Sequence, residues 1–229
     1  MVAPGWGEQA APATLRLAAA VLVTATLAPT LAGSIPPAPA NIMDGFPLLI
    51  TEILVGLMLG GGARLMMSAL QVAGATAGIA SGLGFAQQVD PIASQPAAIF
   101  SGFFSLLGVV LIMSAGLHRI MIQAAADSYT IFPPGQMPPI GDASMFVIDA
   151  VANAFRLGIQ IAAPVLVFSL IFNLSLGLVA RLLPQIQIFM IAMPLGVLLG
   201  VAVIALGFGG GLMVWLDEME RQTSLLTVR

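Results

Sequence analysis

Along this chain, long apolar runs alternate with short breaks rich in polar residues, glycine or proline. The first run, Leu15–Gly33, carries Arg16 near its start and Pro29 near its end, and the proline-rich Ser34–Pro47 after it reads as an exposed loop. The second run, Leu48–Ile79, contains Glu52, Arg64 and the triplet Gly60-Gly61-Gly62. As one helix rising about 1.5 Å per residue it outruns a hydrocarbon core of about 30 Å. The third, Ala97–Ala126, closes on His118, Arg119 and Asp127. The fourth, Met145–Leu183, is interrupted by Arg156, Pro164 and Asn173. A bend or hairpin is expected near Pro164, because proline removes a helical N–H and crowds the preceding turn. The fifth, Ile186–Leu216, includes Pro194 and the run Gly207-Phe208-Gly209-Gly210-Gly211, ahead of a short polar tail, Asp217–Arg229.

Simple spanning helices would be shorter and free of interior arginine. Charge at membrane depth is tolerated where protein or a watery cavity faces it. Small residues at Gly56, Gly60, Ala63, Ala69, Ala73 and Ala77 let neighbouring backbones come close. The expected fold is therefore an all-α membrane protein whose helices pack against others on several sides. The arginines at 16, 64, 119, 156, 181, 221 and 229 are spread singly, so no orientation follows from basic loops. Met1–Thr14 has no basic start, with Glu8 ahead of Arg16, and reads as mature sequence rather than a secretory signal.

Composition sharpens this picture. Of 229 residues, 59% are hydrophobic and 7% charged, against roughly 25% charged in soluble domains. The mean hydropathy is +1.05. These values exclude a soluble enzyme and a disordered tail. A net charge of −3 without a single lysine gives no footprint for nucleic acid. There is no cysteine, hence no disulfide framework and no thiol chemistry. No serine–histidine–acid set, paired carboxylate or metal-ligand spacing stands out, so no catalytic, cofactor-binding or metal-binding residue is expected. His118 and Asp127 lie nine positions apart, off-phase on one helix, and cannot pair within it.

Two segments carry a pattern. Ser81–Gln95 (SGLGFAQQVDPIASQ) breaks two apolar runs. It is either a surface loop or a loop held inside an assembly, the latter because Leu83, Phe85 and Val89 are apolar where a solvated turn would be polar. Gly82 and Gly84 are no phosphate cradle, since no lysine follows. In Phe172–Pro194, Asn173, Gly177 and Arg181 fall four apart and stack on one helix face. Pro184 stops that helix, and Gln185 and Gln187 offer amides beyond it. Such a stripe reads as an interhelical hydrogen-bonding seam ahead of a substrate site. Met58, Met66, Met67, Met113 and Met121 read as gap-filling in a helical core, with a deformable pore seal as the alternative.

Three blocks, GLGFAQQVDP (Gly82–Pro91), GLHRIMIQAAADSYTIFPPG (Gly116–Gly135) and NLSLGLVARLLPQIQIFMIAMP (Asn173–Pro194), resemble the FliR family of flagellar export-gate proteins, relatives of the SctT proteins of virulence type III secretion. The likeness keeps their order and spacing and covers about residues 11–216. It implies long bent helical hairpins packed in a multi-subunit gate at the flagellar basal body of the bacterial inner membrane. The implied partners are FliP-type and FliQ-type subunits, FlhB- and FlhA-type export proteins, membrane lipid, and unfolded flagellar proteins in transit. By this resemblance Ser81–Gln95 is a plug loop that includes Gly82, Gly84, Phe85, Gln87, Gln88, Asp90 and Pro91, with Phe85, Gln87, Gln88 and Asp90 facing the closed channel. Asn173, Gly177, Arg181, Pro184, Gln185 and Phe189 form a subunit-packing seam. The whole chain, 1–229, is expected to be one export-gate domain with 217–229 as its tail. Family members usually begin with a further apolar helix, and only Met1–Ala13 stand in its place, so that helix is expected to be missing. The alternatives are the equivalent injectisome subunit and an autonomous secondary transporter, whose intramembrane charges would be Arg64 and Arg156. An intramembrane enzyme built on His118 ranks below both.

Overall fold

The structure, a computed structural model, describes residues 4, 12–37, 39, 41–83, 96–183, 188–224 and 227. It is helical throughout, with no strand among the described residues. The helices are α1 (Ala13–Leu31), α2 (Ile42–Gly78), α3 (Pro96–Ser114), α4 (Leu117–Ile131), α5 (Ile140–Leu182) and α6 (Ile188–Ser224), and a π-type turn, Ile79–Leu83, extends α2. Among the described residues four helices are long and apolar enough to cross a membrane, or five spans if α3 and α4 are counted together. Between 11% and 17% of the most apolar stretches of α2, α5 and α6 is buried within the chain, and none of that of α1. The rest of that surface needs lipid or other protein around it.

The chain divides into two compact units. The first is Met1–Met67, Val109–Asn153 and Leu216–Arg229. Met66, Met67, Ile112, Leu117, Ala124, Ala150 and Met219 are buried in it. Gly62 lets Phe146 pack against the α2 backbone, since a Cβ there would meet the ring at 3.0 Å. Helix α1 packs on α4 and buries no residue completely. Three of its four threonine hydroxyls are satisfied internally: Thr24, Thr26 and Thr30 donate to the carbonyls of Ala20, Val23 and Leu27, as an apolar surrounding demands. The third apolar run does not form one helix. Gly116 takes a left-handed φ of 74°, which residues with a Cβ rarely adopt, and α4 leaves α3 at 73°.

The second unit is Ser68–Gly108 and Ala154–Trp215. Its core holds Ala69, Leu70, Ala73, Phe104, Leu157, Ile161 and Trp215. Small residues here serve close approach rather than flexibility. A Cβ on Gly74 would fall 2.7 Å from the backbone of Phe100 and Ser101, and one on Gly158 would fall 2.9 Å from Val72 Cγ1. The Ser101 hydroxyl donates to the Gln71 carbonyl at 3.1 Å across the same α2–α3 contact. Phe104 packs on Phe208 with ring centroids 4.1 Å apart, as offset aromatic pairs do.

The structure corrects two sequence expectations. No hairpin forms at Pro164; α5 runs through it for 43 residues. One lost hydrogen bond need not end a long helix, and the Pro164 ring packs beside Gly207 of α6, where a Cβ would sit at contact distance, 3.4 Å. The loop expected over Ser34–Pro47 is shorter, because α2 starts at Ile42 and takes Pro47 into its second turn, at the loss of one helical hydrogen bond. The polar tail remains helical to Ser224. There Arg221 grips the Glu218 carboxylate with two donors one turn apart.

Candidate functional site at the end of α2

The π-type turn Ile79–Leu83 ends α2 against α5 and α6, in the second unit. Its fit is tight. A Cβ on Gly200 would lie 2.6 Å from Ser81 Cβ and 2.8 Å from Ser81 Cα, so only glycine lets α6 pass here. Ser81 is 1% exposed, and its hydroxyl avoids an unpaired buried donor by bonding to the Gly78 carbonyl at 2.9 Å. One residue on, Gly82 turns the chain with φ 89°, a left-handed conformation open to glycine at little cost.

Beside this turn lies a cavity of about 80 Å³ lined by Ile79–Gly82, by Phe168, Ser169, Phe172, Asn173 and Leu176 of α5, and by Ala192, Met193 and Gly196 of α6. Phe168 and Phe172 stack one turn apart at 5.5 Å. Gly196 admits the Phe172 ring, whose Cε1 would stand 2.9 Å from a Cβ there. The wall is apolar except for Ser81, whose hydroxyl is taken up by Gly78, and the Asn173–Ser169 pair. The Asn173 amide donates to the Ser169 carbonyl at 2.9 Å and to its hydroxyl oxygen at 3.2 Å. The cavity has no charged lining group, and among the described residues no cluster of acids and histidine stands close enough to hold a metal ion.

Two sequence-predicted sites thus converge: Ser81 and Gly82, the start of the expected plug loop, and Asn173, the first of the expected seam, line the same cavity. Gly84, Phe85, Gln87, Gln88, Asp90 and Pro91 lie outside the described residues, as do Pro184, Gln185 and the side chain of Phe189. Gly177 and Arg181 stay on the exposed end of α5. A Cβ on Gly177 meets nothing within 4 Å. Beside them Leu170, Ile171, Leu174, Leu178 and Leu182 are all exposed and form an apolar stripe along this end of α5. Sequence reading placed Ser81 at the start of the Ser81–Gln95 loop without its packing partner, and missed Gly196 and Gly200. The four-residue spacing of the two glycines puts them on one face of α6, which was the available signal, though nothing in it names their partner helix.

Elsewhere, in the first unit, the Tyr129 hydroxyl donates to Glu52 Oε2 at 3.0 Å, tying α4 to α2. This gives the carboxylate inside the second apolar run a partner that the sequence did not disclose.

The profile of the bacterial export proteins, family 1, matches residues 1–222. Flagellar biosynthetic protein FliR of Caulobacter vibrioides is 41% identical over 227 residues, 99% of this chain and 90% of its own length. The protein of that name from Aquifex aeolicus is 32% identical over 204 residues, covering 89% of this chain and 78% of its own. That of Escherichia coli K12 is 29% identical over 208 residues, covering 89% and 77%. An apolar, all-helical chain with these matches belongs to the bacterial export proteins, family 1, the family of the flagellar biosynthetic protein FliR.

Proposed function

We propose that this chain is a pore and scaffold subunit of the flagellar protein-export gate in the bacterial inner membrane, acting as one domain beside FliP-, FliQ-, FlhB- and FlhA-type proteins. Its work is steric and not enzymatic. Helices packed through glycine contacts hold a frame, and the segment after Gly82 plugs the channel until an unfolded flagellar protein displaces it.

The observation that carries this reading is the locked turn at Ser81 and Gly82. A plug must move while its root stays fixed, and the root here is wedged at van der Waals distance against Gly200 of α6. The Asn173 face, which shares the cavity with that root, continues into the exposed apolar end of α5, a surface suited to neighbouring subunits. The relatives' names favour the flagellar system over the injectisome one. Deleting Gly84–Val89 in cells tests the plug: the gate is expected to leak small ions, and an unchanged membrane conductance with normal gate assembly overturns the assignment.

A further inference from the structure

Helices α3 and α4 meet at Gly116 with a 73° bend, and they either share one bent crossing or α3 crosses by itself. Their surfaces differ in kind. On α3 the exposed residues Ile99, Phe103, Leu106 and Val110 fall four, three and four apart and make one apolar stripe. The exposed residues of α4 are Arg119, Gln123, Thr130 and, at its last position, Ile131. The first three share a face, and the opposite face carries the buried Leu117, Ala124 and Ser128. What α3 turns outward suits lipid, and what α4 turns outward suits water.

Length and charge decide between the two arrangements. Helix α3 has 19 residues, about 28 Å along its axis, which matches a hydrocarbon core of about 30 Å. Helix α4 has 15, about 22 Å, and falls short of it. A single crossing running Ile99–Ile131 would have its midpoint at Ala115 and hold Arg119 one turn away. An exposed arginine at that depth would face lipid, where such a charge is expensive and rare. The contact of α4 with α2 agrees. The Tyr129 hydroxyl bonds to Glu52, and Glu52 is itself exposed. Helix α2 has 37 residues, about 55 Å, so about 25 Å of it overhangs one crossing. A carboxylate on α2 belongs in that overhang.

From these surfaces we infer that α3 alone makes the fifth crossing and that α4 lies outside the hydrocarbon core, with Arg119, Gln123 and Thr130 facing water. The left-handed turn at Gly116 is where the chain leaves the core, and Glu52, held by Tyr129, stands on the same wetted side.

The chain contains no cysteine, so one introduced thiol reports its own surroundings. A charged maleimide reacts with the thiolate, a form that needs water around it. Full-length Gln123→Cys, Thr130→Cys, Leu106→Cys and Ser224→Cys are each reconstituted in lipid nanodiscs, where the reagent reaches both faces of the membrane. Ser224→Cys, on the exposed polar tail, sets the rate for a wetted position. Gln123→Cys and Thr130→Cys are expected to match that rate, and Leu106→Cys, on the apolar stripe of α3, to react at least about tenfold more slowly. Thr130→Cys reads the same face if Gln123→Cys fails to fold. Labelling at 123 and 130 as slow as at 106, or labelling at 106 as fast as at 123 and 130, would overturn the inference.

Discussion

Ser81 and Gly200 meet so closely that the missing Cβ of the glycine is what allows α6 to pass the end of α2. The contact involves the Ser81 Cα as well as its Cβ, so rotation of a side chain cannot relieve it. Gly200→Ala should therefore lower stability by about 1–3 kcal/mol, the usual cost of overpacking. Thermal unfolding in detergent reads this directly. If the close approach matters as proposed, Ser81→Gly in the same chain recovers part of the loss, and a double-mutant cycle gives a coupling clearly different from zero.

Gly82 tests the turn itself. At φ 89° an alanine is strained by about 1–2 kcal/mol. Gly82→Ala should lower the unfolding temperature by more than Gly209→Ala in α6, where a Cβ meets nothing within 4 Å. The functional expectation is sharper still: cells carrying Gly82→Ala should show reduced flagellar export at unchanged protein level, scored by swimming and by flagellin in the medium.

On the exposed end of α5 the signs reverse. Gly177 has open space around it, so Gly177→Ala should leave the isolated chain as stable or firm it by about 0.5–1 kcal/mol, since alanine favours helix. If that face receives a neighbouring subunit, Gly177→Leu should nevertheless weaken co-purification of the other gate subunits. Full recovery of the complex with this variant would remove Gly177 from the proposed seam.

Asn173 separates folding from assembly in a second way. Its amide is satisfied by Ser169 of its own helix, so Asn173→Leu should cost the isolated chain little. Loss of export with normal stability would mark Asn173 as a contact to another subunit; loss of stability alone would make it a lining residue of the cavity at the end of α2.

The Tyr129–Glu52 bond should be worth about 0.5–1.5 kcal/mol, as single hydrogen bonds are. Tyr129→Phe is expected to lower stability by that amount. Glu52→Gln keeps an acceptor oxygen and should cost less than Glu52→Ala.

The sequence alone determined the solvent and the class of this protein. With 59% hydrophobic residues and 7% charged, lipid or protein must surround most of it, and helices are the open-ended structures that satisfy their own backbone there. It also placed the ends of α1 near Leu15 and Gly33 and the stop of α5 before Pro184, because runs of one polarity and a proline act within a few residues. The three blocks carrying the FliR likeness were legible for the same reason: they are contiguous.

What tertiary structure decided are matters of who faces whom. Proline weakens a helix locally, and only the folded chain shows that α5 continues through Pro164 and does not turn back on itself. A single glycine in an apolar run is ambiguous, and at Gly116 it produced a 73° bend that no periodicity marked. Gly196 and Gly200 looked like ordinary small residues until Phe172 and Ser81 stood opposite them. Gly82 and Asn173 lie ninety-one positions apart, and only packing of α5 on the turn after α2 makes them walls of one cavity. Close approach depends on distances between segments, and a linear pattern records only what repeats within one.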